Sequence, residues 1–191
     1  MAARNVALAT LLAALAAFYA ATAYVALHPQ VSQHYRDYYI DHSTRDWRPA
    51  HDATDLAEGM TFDRPAYPAD VDYVSGLAAV EPEGRWWDAR LAPAVTIQLA
   101  RPVTGRHCLE ARLRPGALLV GQALAIRIGE AAATLTPSDE APRDYRVELD
   151  PGRPADAIVI EPARVARDGG DRQRRSFQLV RLRLHPGACP G

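Results

Sequence analysis

The feature that most constrains this chain is a run of twenty-two residues without a charged side chain, Val6–Leu27. A helix of that length rises about 33 Å, which matches a hydrocarbon core of roughly 30 Å. Arg4 and the free N-terminus precede the run, so the positive-inside rule predicts a cytoplasmic segment 1–5 and a membrane-spanning helix 6–27. Everything after the helix is then predicted to lie outside the cytoplasm.

The same run has a second interpretation, as a cleaved secretory signal. A signal peptide has an apolar region of roughly 7–15 residues followed by small residues at a cleavage site, and the triplet 21–23 (Ala-Thr-Ala) fits such a site. The apolar run continues through Val25 and Leu27, which favours an uncleaved anchor. Both interpretations place the following residues in the same compartment.

Residues 28–70 are predicted to form a Tyr- and His-rich juxtamembrane segment that ends in a Pro-containing linker, 54–70. Aromatic residues in this segment form a candidate face that packs at the membrane surface or against a protein partner: Tyr35, Tyr38, Tyr39 and Trp47. The first three share one side if the segment is helical. Its histidines match no compact metal-ligand spacing and no Cys joins them, so no metal site is predicted.

Residues 71–185 have the alternation of apolar and polar residues that is typical of β-strands. The clearest segments are 95–99, 109–114, 124–128, 145–149, 157–160 and 180–184. Most of them have one apolar and one Arg-bearing face, so two antiparallel sheets can bury the apolar faces against each other. We therefore predict an all-β fold, a jelly-roll-like antiparallel β-sandwich, preceded by one transmembrane helix and followed by a tail, 186–191.

Composition narrows the function classes. The net charge is −1, which gives no reason to expect nucleic-acid binding. Ser75 does not lie in a nucleophile elbow, and no Gly-rich phosphate loop, zinc-protease helix or haem-attachment motif occurs. The sequence therefore predicts a protein that is not an enzyme and needs no cofactor.

The two cysteines, Cys108 and Cys189, are a candidate disulfide in an oxidising compartment. If the first and last core strands are antiparallel neighbours, the start of segment 107–114 faces the tail that carries Cys189. The alternative, two free thiols, stays open on sequence alone.

The segment 81–88, EPEGRWWD, contains the candidate ligand-binding residues, which are Glu81, Arg85, Trp86, Trp87 and Asp88. Adjacent residues of a strand point to opposite sides, so one tryptophan is predicted to be in the core and the other on the surface. An exposed indole beside carboxylates and a guanidinium suits sugar recognition. The alternative is that Arg85 pairs with a carboxylate and only orders the loop.

An arginine-rich stretch near the C-terminus is a candidate anion patch. Its members are Arg172, Arg174, Arg175, Arg181 and Arg183. Such a patch suits phosphorylated glycan, lipid headgroups or an acidic partner. The alternative is an ordinary solvated face.

Short motifs resemble the opening of a poorly characterised β-sandwich domain that is appended to bacterial phosphoglycerol transferases and membrane glycosyltransferases of envelope glycans. That opening reads roughly G-F-S…E-P-W-G-R-W-S/T, and its counterparts here are Gly76, Glu81-Pro82, Gly84-Arg85-Trp86, Ala92 and Val95-Thr96-Ile97. Pro162, Asp171 and the segment 179–184 are similar to the end of the domain, so the resemblance covers about residues 72–185. Four positions depart from the pattern: Glu83, Trp87, Gln173 and Ser176.

The resemblance implies a non-catalytic accessory module in the bacterial inner membrane, with its domain in the periplasm. Such a module binds glycan or docks on a glycan-assembling membrane enzyme. A structural single-pass subunit of a larger membrane complex, unrelated to sugars, is the alternative. In that case the small residues of the helix permit close approach of other transmembrane helices.

Overall fold

The structure is a computed structural model that describes residues 2–27, 54–64, 66–163 and 175–190. These residues belong to two compact units, one containing the N-terminal helix and the other all of the strands.

Helix α1 spans Ala2–Leu27, and the side chains described along it are exposed and largely apolar. Its two threonine hydroxyls are satisfied within the helix, since Thr10 Oγ1 donates to the Val6 carbonyl (3.0 Å) and Thr22 Oγ1 to that of Phe18 (2.9 Å). Within the described residues, α1 is the one helix long and apolar enough to cross a membrane, a property that signal sequences share. The helix therefore fits an anchor or a signal, as its sequence indicated.

In the described part of the chain, ten strands form two antiparallel sheets. The strands are β1 (Met60–Thr61), β2 (Val71–Ser75), β3 (Arg85–Trp86), β4 (Val95–Val103), β5 (His107–Pro115), β6 (Leu124–Ile128), β7 (Ala131–Leu135), β8 (Arg143–Leu149), β9 (Ala155–Pro162) and β10 (Phe177–Pro186). The first sheet has the order β1-β10-β5-β8, with β3 also paired to β10, and the second has the order β2-β4-β9-β6-β7.

The chain changes sheet at nearly every connection from β3 onwards. Consequently β3, β10, β5 and β8 lie side by side in one sheet, and β4, β9, β6 and β7 in the other. This double Greek-key arrangement is that of a jelly roll. The predicted all-β sandwich with one N-terminal apolar helix is confirmed.

One hydrophobic core lies between the sheets. Residues at alternate positions are fully buried on both inner faces, for example Leu109 and Leu113 of β5 and Ile97 of β4. Between these two leucines, the intervening residues Glu110 and Arg112 are only half-buried. The alternation of apolar and polar residues therefore arises because one face of each sheet is buried, as the sequence indicated.

Two parts of the fold differ from the sequence prediction. The stretch predicted as a linker, 54–70, packs into the core through Leu56, Met60 and Phe62, each at most 1% exposed. Strand β7 was not predicted, because its run of three alanines gives no contrast between apolar and polar faces.

The two cysteines form a disulfide, with the Cα atoms of Cys108 and Cys189 4.9 Å apart. Its geometric basis is the antiparallel register of β5 and β10, in which Cys108 faces His185. The chain then needs only a short turn beyond β10 to bring Cys189 back beside Cys108.

Candidate functional site

The candidate site is built on a tight hairpin beside β10. The Glu81 and Gly84 backbones exchange two hydrogen bonds (2.9 and 3.1 Å), and β3 follows directly. A bulge in β10 between Leu179 and Arg181 divides its edge, so that β3 pairs with residues 178–179 and β1 with residues 181–182. The hairpin therefore lies at the edge of the first sheet, beside β10.

Trp87 lies on the inner side of this hairpin. Its ring is completely buried and stacks on Phe177, with centroids 5.9 Å apart and planes 3° from parallel. The indole Nε1–H donates to the carbonyl of Ala92 (3.1 Å). Trp87 is therefore the tryptophan that belongs to the core.

Arg85 and Asp88 are also buried, at 0% and 1% exposure. Arg85 Nε donates to the Ala78 carbonyl (2.7 Å), and the Asp88 carboxylate accepts from Nη2 of Arg90 (2.7 Å). Contact with a ligand was predicted for Arg85, Trp87 and Asp88, but this placement does not support it. For Arg85 the alternative was a pair with a carboxylate that orders the loop, and its buried contact with the Ala78 carbonyl supports the ordering role.

Trp86 and Glu81 lie on the outer side, where they line a groove of about 710 Å³. Trp86 is half-buried, and its Nε1–H donates to Oε2 of Glu81 (3.1 Å), which holds the ring in place across the hairpin. The structure therefore brings together two of the five predicted residues.

The floor of the groove is a row of residues across three strands. In the register of the sheet, Gln178 of β10 faces Trp86 of β3 on one side and Arg114 of β5 on the other. Cross-strand neighbours of this kind are close enough to form one surface. The loop after β5 closes one end, since the Gly116 amide donates to the Ser176 carbonyl (2.7 Å).

The charged groups of the groove are arranged in pairs. Arg114 Nη1 lies 2.7 Å from Oε2 of Glu83, and Arg175 Nη1 lies 3.1 Å from Oε1 of Glu81. Glu140 supplies a further carboxylate. Most of these side chains are partly exposed, so the pairs fix geometry more than they add stability.

A second, smaller recess of about 330 Å³ shares Pro82 and Glu83 with the groove. It is lined mainly by residues of the first sheet and its β1 edge, including Thr61, Arg112 and Arg181. The two recesses thus lie on either side of the hairpin turn.

The predicted anion patch is divided. Arg172 and Arg174 lie outside the described residues. Arg175 is at the groove, Arg181 shares the Asp144 carboxylate with Arg112 (3.4 and 2.8 Å), and Arg183 Nε donates to the Glu58 carbonyl (2.9 Å). The described arginines of this set therefore interact with neighbouring acceptors, as on a solvated face.

The predicted partner face, Tyr35, Tyr38, Tyr39 and Trp47, lies outside the described residues. Among the described residues, one cluster has metal-ligand chemistry, formed by Cys108, Glu110 and His185. The Cys108 sulfur is bonded to that of Cys189 and is not available as a thiolate ligand.

Sequence reasoning missed Arg114 and Gln178, and it placed Arg175 only in a general basic patch. The first two reach the groove through strand register, and register depends on which strands pair. The available signal was weak: Arg114 was one of several arginines that alternate with apolar residues in the predicted strands.

A family model for a domain of unknown function, DUF7024, matches residues 50–181. A search of curated protein sequences finds no match. The family match agrees with the resemblance to a poorly characterised domain, whereas the association with phosphoglycerol transferases stays a hypothesis.

Two solved structures are similar in part. One is a ruminal GH26 endo-β-1,4-mannanase (TM-score 0.37, 10% identity, 62% of this chain and 20% of the mannanase). The other is a mutant of CBM29-2, a family 29 carbohydrate-binding module (TM-score 0.40, 14% identity, 67% of this chain and 89% of the module). This chain thus spans only a fifth of the length of the mannanase, and at these TM-scores neither likeness bears on function.

Proposed function

The chain belongs to the DUF7024 family, a domain of unknown function, and we propose that it is a membrane-anchored, extracytoplasmic accessory protein that binds glycan without acting on it. The observation that carries the proposal is Trp86, a half-buried indole in a groove that also presents carboxylate, guanidinium and amide groups. Sugars have an apolar face of C–H groups and a rim of hydroxyls. A ring beside carboxylate, guanidinium and amide groups is complementary to both.

The location is proposed from two features. Helix α1 suits an anchor with its N-terminus in the cytoplasm, and the Cys108–Cys189 disulfide suits an oxidising compartment. Together they favour a domain in the periplasm of a bacterial inner-membrane protein.

A non-catalytic role is proposed because two of the three carboxylates among the described lining residues of the groove are already engaged, which leaves no free pair. Glu81 interacts with both Trp86 and Arg175, and Glu83 with Arg114. A glycosidase needs a pair of carboxyl groups that are free to transfer a proton and to attack or activate water. Engaged groups of this kind suit binding better.

The direct test is glycan binding by the full-length chain in detergent. The wild type is expected to bind oligosaccharides, and Trp86→Ala to bind at least about tenfold more weakly, because the platform for the apolar sugar face is lost. Trp86→Phe keeps a ring but loses the N–H that contacts Glu81, so it should lie between the two. Arg127→Ala, which removes an ion pair with Glu161 on the second sheet, is the control and should bind normally.

Affinity purification of the full-length chain from membranes, followed by mass spectrometry, would identify the protein partner. Docking on glycan-synthesis machinery, which the resemblance implies, predicts recovery of a glycan-assembling enzyme. Stoichiometric recovery with a complex unrelated to sugars, together with no glycan binding, would replace this proposal by the structural-subunit alternative.

A further inference from the structure

Two residues that line the groove, Arg175 and Gln178, have buried polar atoms that lack a partner among the described residues. Among the described residues, Arg175 Nε, Ser176 Oγ and Gln178 Oε1 are buried and form no hydrogen bond, although they lie within four consecutive positions. Arg175 and Gln178 both line the groove, and Gln178 is only 2% exposed. Because nearly all buried polar groups in folded proteins are paired, this concentration points to a partner outside the described residues.

The missing partners have a defined chemistry. Arg175 Nε–H is a donor without an acceptor, and Gln178 Oε1 is an acceptor without a donor. A hydroxyl group both donates and accepts, so neighbouring hydroxyls satisfy both atoms. A carboxylate or phosphate oxygen only accepts, and an ammonium group only donates.

The charge of the groove adds a second argument. Among its described lining residues, the carboxylates Glu81, Glu83 and Glu140 outnumber the guanidinium groups of Arg114 and Arg175. Both arginines already interact with a carboxylate. An anionic ligand would therefore meet net negative charge, which disfavours it.

Resting on the proposed function, we infer that the groove takes a neutral sugar and that Gln178 and Arg175 are the residues that recognise its hydroxyl groups. Arg175 is held over this part of the groove by its contact with Glu81, and the two side chains are 30% and 41% exposed. For a ligand to reach both buried atoms, the Arg175 side chain has to rotate away from Glu81. Trp86 covers the apolar face of the same sugar.

The test measures affinity of the full-length chain in detergent for neutral hexose oligosaccharides and for matched oligosaccharides carrying uronic acid or glycerol phosphate. The neutral set is expected to bind more tightly. Gln178→Leu keeps the volume but removes the acceptor, and it should weaken neutral binding about three- to tenfold. The control Gln98→Leu makes the same change on β4 of the second sheet and should leave the affinity unchanged.

A second variant covers the case in which Gln178→Leu does not fold. Gln178→Glu retains an acceptor and adds negative charge, so it should keep most of the neutral binding and further weaken any anionic binding. Tighter Trp86-dependent binding of the anionic set would overturn this inference and leave the proposed function intact. If neither set binds, both this inference and the proposed function are overturned.

Discussion

The two sides of the segment 81–88 carry similar side chains, but one side is buried in the core and the other lines a groove. The inner side presents Trp87, Arg85 and Asp88, all buried and engaged within the chain. The outer side presents Trp86 and Glu81, which line a groove together with Arg175. The same three kinds of group, an aromatic ring, a guanidinium and a carboxylate, thus belong to the core on one side and to the candidate site on the other. Solvent access decides between the two roles.

The largest expected effect separates the two tryptophans by stability. Trp87→Ala should lower the free energy of unfolding by about 3–5 kcal/mol, because it removes a fully buried ring that stacks on Phe177. Trp86→Ala should cost clearly less, since that ring is only half-buried. Calorimetry of the detergent-solubilised chains measures both. Equal losses would contradict the assignment of one ring to the core and the other to the surface.

A change at Gly84 should affect both sides at once. Its φ is +135°, and an added Cβ would overlap the carbonyl oxygen of Leu179 in β10, so Gly84→Ala must push β3 away from β10. We expect a loss of about 2–4 kcal/mol in stability together with weaker glycan binding.

Gly152→Ala is the matched control for this change. Gly152 also has a positive φ, +68°, but nothing lies within 4 Å of the added Cβ. It should cost only about 1 kcal/mol and leave glycan binding unchanged. Similar results for the two glycine variants would show that backbone strain, and not the contact with β10, is what matters at Gly84.

The two arginine environments give a smaller contrast. Arg85→Ala should destabilise the fold by about 2–3 kcal/mol, because it empties a buried volume and removes the donor to the Ala78 carbonyl. Arg114→Ala on the outer side should change stability by less than about 1 kcal/mol, since its pair with Glu83 is partly exposed. Urea denaturation midpoints at a constant m-value would measure the difference, and a larger effect at Arg114 would contradict it.

The smallest effect is expected at a partly exposed surface pair away from the hairpin. The Arg143 side chain donates hydrogen bonds to Asp139, and this holds the pKa of the Asp139 carboxyl below its usual value. A lowered folded-state pKa contributes stability that is present above the unfolded-state pKa and is lost as the pH falls through the folded-state value. Asp139→Asn should therefore slightly flatten the decline of the melting temperature below about pH 4. An unchanged pH profile would contradict this prediction.

The sequence predicted the fold better than the site. Alternation in β4, β5 and β6 is strong because each strand buries one face, and this was enough to infer a sandwich. Strands β1 and β3 have only two residues, which is too short for any periodicity to show. The buried residues of 54–70 follow no regular period, so that stretch read as a linker.

The same reasoning explains what was predicted at the site. Opposite orientations of Trp86 and Trp87 follow from the geometry of any extended segment. Which of them faces the core depends on the strand with which the hairpin pairs. That strand, β10, lies about ninety positions further along the chain, and it supplies Gln178 to the groove and Phe177 to the core.

The Cys108–Cys189 disulfide also has a mechanical meaning for β10. This strand joins β1, β3 and β5, and the covalent link fastens its C-terminal end to the start of β5. Because the disulfide holds that end, separation of β10 from β5 has to begin at the opposite end of the strand, where Phe177 and Gln178 lie. The covalent link therefore constrains the sandwich at the end of β10 that is remote from the groove residue Gln178.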